Sequence, residues 1–241
     1  MQRVHPGPLI GLAGLLALLG GLEAAGSLGV AGWLAGTSAG LAVAVLLGRA
    51  LARRRGAGMG PADRVTLVRA QLACGVVALA AGAGPVALLV GLAAVALVLD
   101  GVDGRVARRT GTASAFGARF DLEVDAFLIL VLSGYVAAAL GWWVLLIGAA
   151  RYLFVAAGWL LPWLHGTLPA RPWCKVVAVV QGVVLTVAAA EVLPPAATRL
   201  ALLVALAMLA ESFGREVRDL WRLARRTSPR SARARVLVDH G

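Results

Sequence analysis

Runs of about 20 mainly apolar residues recur along this chain, at roughly 8–25, 28–48, 65–84, 85–104, 118–140, 142–164, 174–193 and 196–214. Each is long enough to cross a hydrocarbon core of about 30 Å as a helix. Backbone in lipid has no water to bond, so its N–H and C=O groups must be satisfied internally, and helices are the realistic elements. The hydrophobic share of 60% against 15% charged lies far outside soluble averages and agrees. The expected fold is an all-α integral membrane protein of about eight transmembrane helices. Short turns separate several spans, at Gly82-Ala83-Gly84-Pro85, Gly141 and Pro194-Pro195.

Charge orients this bundle. The net charge is +11, and Arg49, Arg53, Arg54, Arg55, Arg105, Arg108, Arg109, Arg119, Arg171, Lys175 and an Arg-rich tail fall at alternate loop ends. The other ends carry little beyond Glu23, Glu191 and Arg199. Cytoplasmic loops are enriched in Lys and Arg, so the basic side and both termini are expected in the cytoplasm. Residues 1–25 read as a retained span, because removing them as a signal peptide would invert this logic. Cations that flank spans point to anionic lipid as a partner and away from nucleic acid. The chain has no Asn and one lysine, Lys175, which points to a GC-rich bacterial genome and a bacterial cytoplasmic membrane. Cys74 and Cys174 offer neither zinc spacing nor a disulfide framework.

Against this background the stretch from Asp100 to Asp125 stands out. Acidic residues at the mouth of apolar spans are costly and mark function by default. At about 100° per residue, Asp100, Asp103, Gly104 and Ala107 share about a third of a turn, with Arg108 beside them. Gly117, Asp121 and Asp125 lie four apart on one stripe, while Glu123 points away from it. Two such helices face to face would gather four carboxylates, and four negative charges need cations. Oxygen-only ligands suit hard ions such as Mg²⁺ or Mn²⁺. Each internal Gly costs about 1 kcal/mol relative to Ala. Close approach of a ligand to the backbone would compensate that cost, and so would tight helix packing.

The pattern Asp-x2-Asp-Gly-x2-Ala-Arg-x8-Gly-x3-Asp-x3-Asp resembles the signature of the CDP-alcohol phosphotransferase (CDP-alcohol phosphatidyltransferase) family. Upstream, Pro61-Ala-Asp-Arg-Val-Thr-Leu-Val-Arg69 is similar to the start of that family's first core helix, with Asp63 where the family has Asn. The resemblance implies a six-helix core over residues 57–225. Residues 1–56 would then be an extra transmembrane hairpin with a basic loop, and 226–241 a basic disordered tail. It further implies transfer of a phosphatidyl or other substituted phosphoryl group from a CDP-linked lipid to an alcohol, with release of CMP, in phospholipid biosynthesis. Mg²⁺ or Mn²⁺, two ions, would be held by Asp100, Asp103, Asp121 and Asp125. Asp125 resembles the proposed general base, with Asp121 beside it in the catalytic set. Thr66, Arg69, Gly104, Ala107, Arg108 and Gly117 would bind the CDP group. A homodimer is left open.

Arg151 lies about nine residues into a span and is expected to face a cavity. With Arg171 and Lys175 it could hold an anionic acceptor. Members that use glycerol 3-phosphate or inositol phosphate often carry Lys or Arg after the last motif aspartate. Here that residue is Ala126, which weighs against those two acceptors. Two rival functions remain. A Mg²⁺-dependent intramembrane prenyltransferase would carry a first motif starting with Asn and a second aspartate motif much later, and neither occurs here. A cation-coupled transporter should show a repeat of the motif, and there is none.

Overall fold

A computed structural model describes residues 6–53, 59–110, 114–165 and 172–227, with the side chains of residues 6, 103–108, 110, 162, 165, 172, 226 and 227 excepted. All regular structure among the described residues is helical. Eight α-helices follow in chain order: α1 Pro6–Ala24, α2 Val30–Ala52, α3 Pro61–Ala81, α4 Val86–Thr110, α5 Ala115–Leu140, α6 Leu145–Leu160, α7 Pro172–Ala189 and α8 Pro195–Thr227. Six helical segments are long and apolar enough to cross a bilayer, and α4 and α7 carry shorter apolar stretches, Val86–Val102 and Trp173–Ala189. The chain is an all-α integral membrane protein.

The eight expected spans coincide with the eight helices, with three shifts at their ends. The span expected at 142–164 is divided into a 3-10 turn at Trp142–Val144, then α6, then a second 3-10 turn at Pro162–His165. The helix α4 runs on to Thr110, well beyond its apolar part, because its polar end is the motif itself. The helix α8 continues to Thr227, although the apolar run stops near 214. Charged residues one turn apart, such as Glu211 and Arg215, pair along its surface there and sustain helix in water. Residues 228–241 of the expected tail lie outside the described residues.

Lipid tails are as apolar as Leu, so association of these helices rests on close packing, and small residues favour it. The helix α3 shows this best. It is the most buried span, and α1, α2, α4 and α5 all pack against it. Its inward face is small: Ala70, Ala73, Cys74, Gly75 and Ala78 are buried. The hairpin α1–α2 packs on α3 through Leu15, Leu19 and Leu22, all buried. The far end of the main core is made by Leu128, Leu132 and Val136 of α5 with Leu185 of α7 and Leu202 of α8.

One glycine sets the distance between two helices. A Cβ on Gly148 of α6 would stand 2.5 Å from Leu130 Cα and 2.8 Å from Ser133 Oγ of α5. Backbone cannot yield as a flexible side chain can. Gly148→Ala should therefore push α6 off α5 and cost about 1–3 kcal/mol as overpacking. The expected result is a thermal midpoint in detergent lower by several degrees. An unchanged midpoint would mean that the two helices adjust freely.

Candidate active site

The site is assembled from three helices, and its centre is a side chain of α3. That helix starts after Gly60, with Pro61 in its first turn. Asp63 accepts the Gly60 N–H at 2.9 Å through Oδ2 and so caps the helix start. Thr66 donates its hydroxyl to Ala62 O at 3.2 Å. One further turn inward lies Arg69, of which only 1% is exposed. Its Nε donates to Ala96 O of α4 at 3.1 Å. Its two terminal nitrogens meet three carboxylates. Nη1 pairs with Asp121 Oδ1, and Nη2 pairs with Asp125 Oδ1 and, at 3.1 Å, with Asp100 Oδ1.

The aspartates come from helices of different kinds. In α4 the apolar run from Val86 ends at Asp100, so the carboxylate sits where the hydrophobic segment meets its polar end. The start of α5 is fixed by Ser114, whose hydroxyl accepts the Gly117 N–H at 3.0 Å. Asp121 and Asp125 follow on one stripe, as four-residue spacing dictates. Near the start of α5, Phe116 and Phe120 belong to one apolar cluster with Leu47 and Leu51 from the C-terminal end of α2, Leu67 of α3 and Met59. Thus residues of α2, α3 and α5 share an apolar cluster beside the start of the helix that carries two of the three aspartates.

Oxygens of Asp100, Asp121 and Asp125 all lie within 4.8 Å of one another. The side chains of the three are 29%, 35% and 25% exposed, whereas Arg69 is closed off beneath them. The arrangement is a floor of fixed positive charge under an open rim of carboxylates. Three carboxylates against one guanidinium leave a formal charge of −2. Like charges this close repel strongly where water is scarce. A hard divalent cation fits the group in both donor chemistry and charge.

The structure brings Asp100, Asp121, Asp125 and Arg69 together, with Thr66 and Gly117 nearby on the same helices. Asp103, Gly104, Ala107 and Arg108 fall within α4, but their side chains lie outside the described ones, and Arg171 lies outside the described residues. Gly117 has a neighbour the sequence did not disclose. A Cβ there would stand 2.6 Å from Asp63 Oδ1, so the bare backbone at 117 is what admits the Asp63 carboxylate. Asp63 itself is buried, and the one signal for it in the sequence was its departure from Asn.

Arg151 also meets a partner that the sequence left unassigned. Its guanidinium pairs with Glu123 across the α5–α6 contact, on the face of α5 opposite the aspartate stripe. Its Nε atom is buried and bonds to nothing among the described residues. Lys175 is exposed on the first turn of α7. Neither Arg151 nor Lys175 forms an ion pair with the three aspartates among the described residues.

Comparison with known proteins agrees with this geometry. No curated protein and no solved structure matches the chain. The family profile described as CDP-alcohol phosphatidyltransferase matches residues 59–211, which covers α3 through α7 and the apolar part of α8. A match over more than half of the sequence, on the helices that carry the aspartates, shows that this chain belongs to the CDP-alcohol phosphatidyltransferase family.

Proposed function

We propose that the chain transfers a phosphatidyl group from a CDP-linked lipid such as CDP-diacylglycerol to an alcohol, releasing CMP, in phospholipid biosynthesis. The observation that carries this is the convergence of Asp100, Asp121 and Asp125 over Arg69. In the reaction the acceptor oxygen forms a bond to the lipid-linked phosphorus. The bond from that phosphorus to the oxygen of CMP breaks, and the acceptor proton leaves. Asp125, at the inner end of the stripe, is the residue placed to take that proton. Mg²⁺ or Mn²⁺, as two ions, would be held by Asp100, Asp103, Asp121 and Asp125 and would neutralise the diphosphate and the departing CMP.

The protein's own groups do the rest. Arg69 fixes the direction of three carboxylates, because its Nε is tied to Ala96 O and its fork cannot turn. Thr66, Gly104, Ala107 and Gly117 line the approach of the CDP group, and Arg108 pairs with phosphate. Arg151, Arg171 and Lys175 are the candidates for an anionic acceptor. On this reading the mouth faces the cytoplasm, where nucleotides are; the basic loop ends support that side.

The test is CMP release by purified protein with CDP-diacylglycerol, Mg²⁺ and a panel of alcohols, including glycerol 3-phosphate, inositol phosphate, free inositol and serine. Release should require both the lipid and one of the alcohols and should cease in EDTA. No release with any acceptor, together with pyrophosphate release from a prenyl diphosphate, would replace this reading by the prenyltransferase one.

A further inference from the structure

The outward row of α8 does not end with its apolar part. Leu200, Leu203 and Val204 are exposed and form the outer side of the span. Arg218, Trp221 and Arg222 follow them by 18 residues each, which is five turns of helix. They therefore stand on the same side, and all three are exposed. Arg225 completes the row, with its guanidinium carbon 3.7 Å from the centre of the Trp221 ring. The other side of this segment is packed: Ser212 and Leu220 are buried. Its acids, Glu216 and Asp219, lie off the row and are half-buried. The side that meets lipid in the span thus becomes basic and aromatic just beyond it.

The height of the row identifies its surroundings. Trp173, at the start of α7, donates its indole N–H to Glu211 Oε2 at 3.0 Å. Tryptophans collect at the membrane–water interface, so Glu211 marks where α8 leaves the apolar layer. Arg218 and Arg222 lie about 10 and 16 Å further along the helix. Arg225 folds back toward the membrane, over the ring four residues before it. The headgroup layer is about 5–8 Å deep, and charge acts across water over a further ~10 Å. The row is therefore within reach of the headgroups around α8. A guanidinium pairs with a phosphodiester through two parallel N–H bonds, and arginine clusters directly after a span suit anionic lipid.

We propose that the outward face of α8 formed by Arg218, Trp221, Arg222 and Arg225 is a binding site for the headgroups of anionic phospholipids. The occupant is a membrane lipid held beside the bundle, on one particular row of one helix. None of these residues belongs to the aspartate site, so lipid binding here is independent of the transfer reaction.

The probes are dioctanoyl phosphatidylglycerol and dioctanoyl phosphatidylcholine, titrated calorimetrically into purified full-length protein in a neutral detergent with EDTA. The parent should bind the anionic lipid at least about fivefold more tightly, and 1 M NaCl, taken as roughly tenfold above physiological salt, should remove most of that preference. Arg218→Gln, Arg222→Gln and Arg225→Gln combined should bring the preference below about twofold with an unchanged thermal midpoint, because all three side chains are exposed. Arg49→Gln, Arg53→Gln and Arg199→Gln combined remove the same charge from other exposed positions and should leave the preference in place. No preference in the parent, its survival in the first combination, or equal loss in both combinations would overturn the proposal, the last by reducing it to net charge. If the first combination melts lower, Arg218→Lys, Arg222→Lys and Arg225→Lys combined keep the charge and decide: a preference retained there supports the row, and one lost there overturns it. Poly-L-glutamate bound by the parent without any lipid preference would assign the face to an acidic protein and likewise overturn it.

Discussion

Asp121→Asn is expected to release CMP from CDP-diacylglycerol at no more than about a thousandth of the parent rate. Asparagine matches aspartate in size and still offers Arg69 an acceptor oxygen, so the packing of α5 should hold. What changes is charge: the trio together with Arg69 goes from a formal −2 to −1. A cation held there contributes several kcal/mol to stabilising the developing charge, and three decades of rate correspond to about 4 kcal/mol. Asp100→Asn should behave alike, since its oxygen belongs to the same 4.8 Å group. Both proteins should purify as folded monodisperse species, so that a chemical loss is distinguished from a structural one. More than a tenth of parent activity in both variants at saturating Mg²⁺ would count decisively against a cation on these carboxylates.

Arg69→Ala should have its largest effect on stability. The guanidinium is fully enclosed, and the residues around it are the Ala96 carbonyl and three carboxylates. Its removal leaves those carboxylates facing one another without a fixed counter-charge. Breaking a buried pair by removing one partner costs about 3–5 kcal/mol. At a few degrees per kcal/mol for a chain of this size, the midpoint in EDTA should drop by about 10 °C. Added Mg²⁺ should restore much more of that loss in the variant than it adds to the parent. Arg69→Lys should rescue only in part, because a point charge cannot replace a fork that reaches three oxygens and a carbonyl. Tryptophan fluorescence melts with and without Mg²⁺ give all of these numbers. An Arg69→Ala midpoint in EDTA equal to that of the parent would refute the idea that this side chain holds the carboxylates together.

Much of the site was legible because helical spacing is local. The stripe Gly117, Asp121, Asp125 and the opposite direction of Glu123 follow from about 100° per residue, and the structure shows both. Convergence of Asp100 with that stripe followed from charge, since separate carboxylates at span ends would have had no common purpose. What spacing could not convey was which helix stands next to which. Arg69 read as a donor-binding residue, yet its place beneath the aspartates depends on α3 lying between α4 and α5. Arg151 read as a buried charge that needed a cavity. Its partner Glu123 is 28 residues away, and nothing local joins them. Gly117 read as room for a ligand, and the group that fills that room is the side chain of Asp63. The end of α8 was missed for a different reason. Hydropathy reports where lipid ends, whereas the helix ends where its backbone bonding ends, and charged i,i+4 neighbours carry it further.

The burial of Arg69 has a consequence for how the protein is made. During translation α3 enters the translocon before α4 and α5 exist. On insertion scales a lone arginine in a span costs about 2.5–3.5 kcal/mol. Its first partners arrive with α4, and the last, Asp125, is 56 residues further along the chain. At about 5–20 residues per second, the nascent helix waits for about 3–11 s before its charge is fully matched. Until then α3 is poorly settled in lipid and remains available to insertion factors or to membrane proteases. A substitution among these aspartates is therefore met first by the machinery of biogenesis, and by substrate only afterwards.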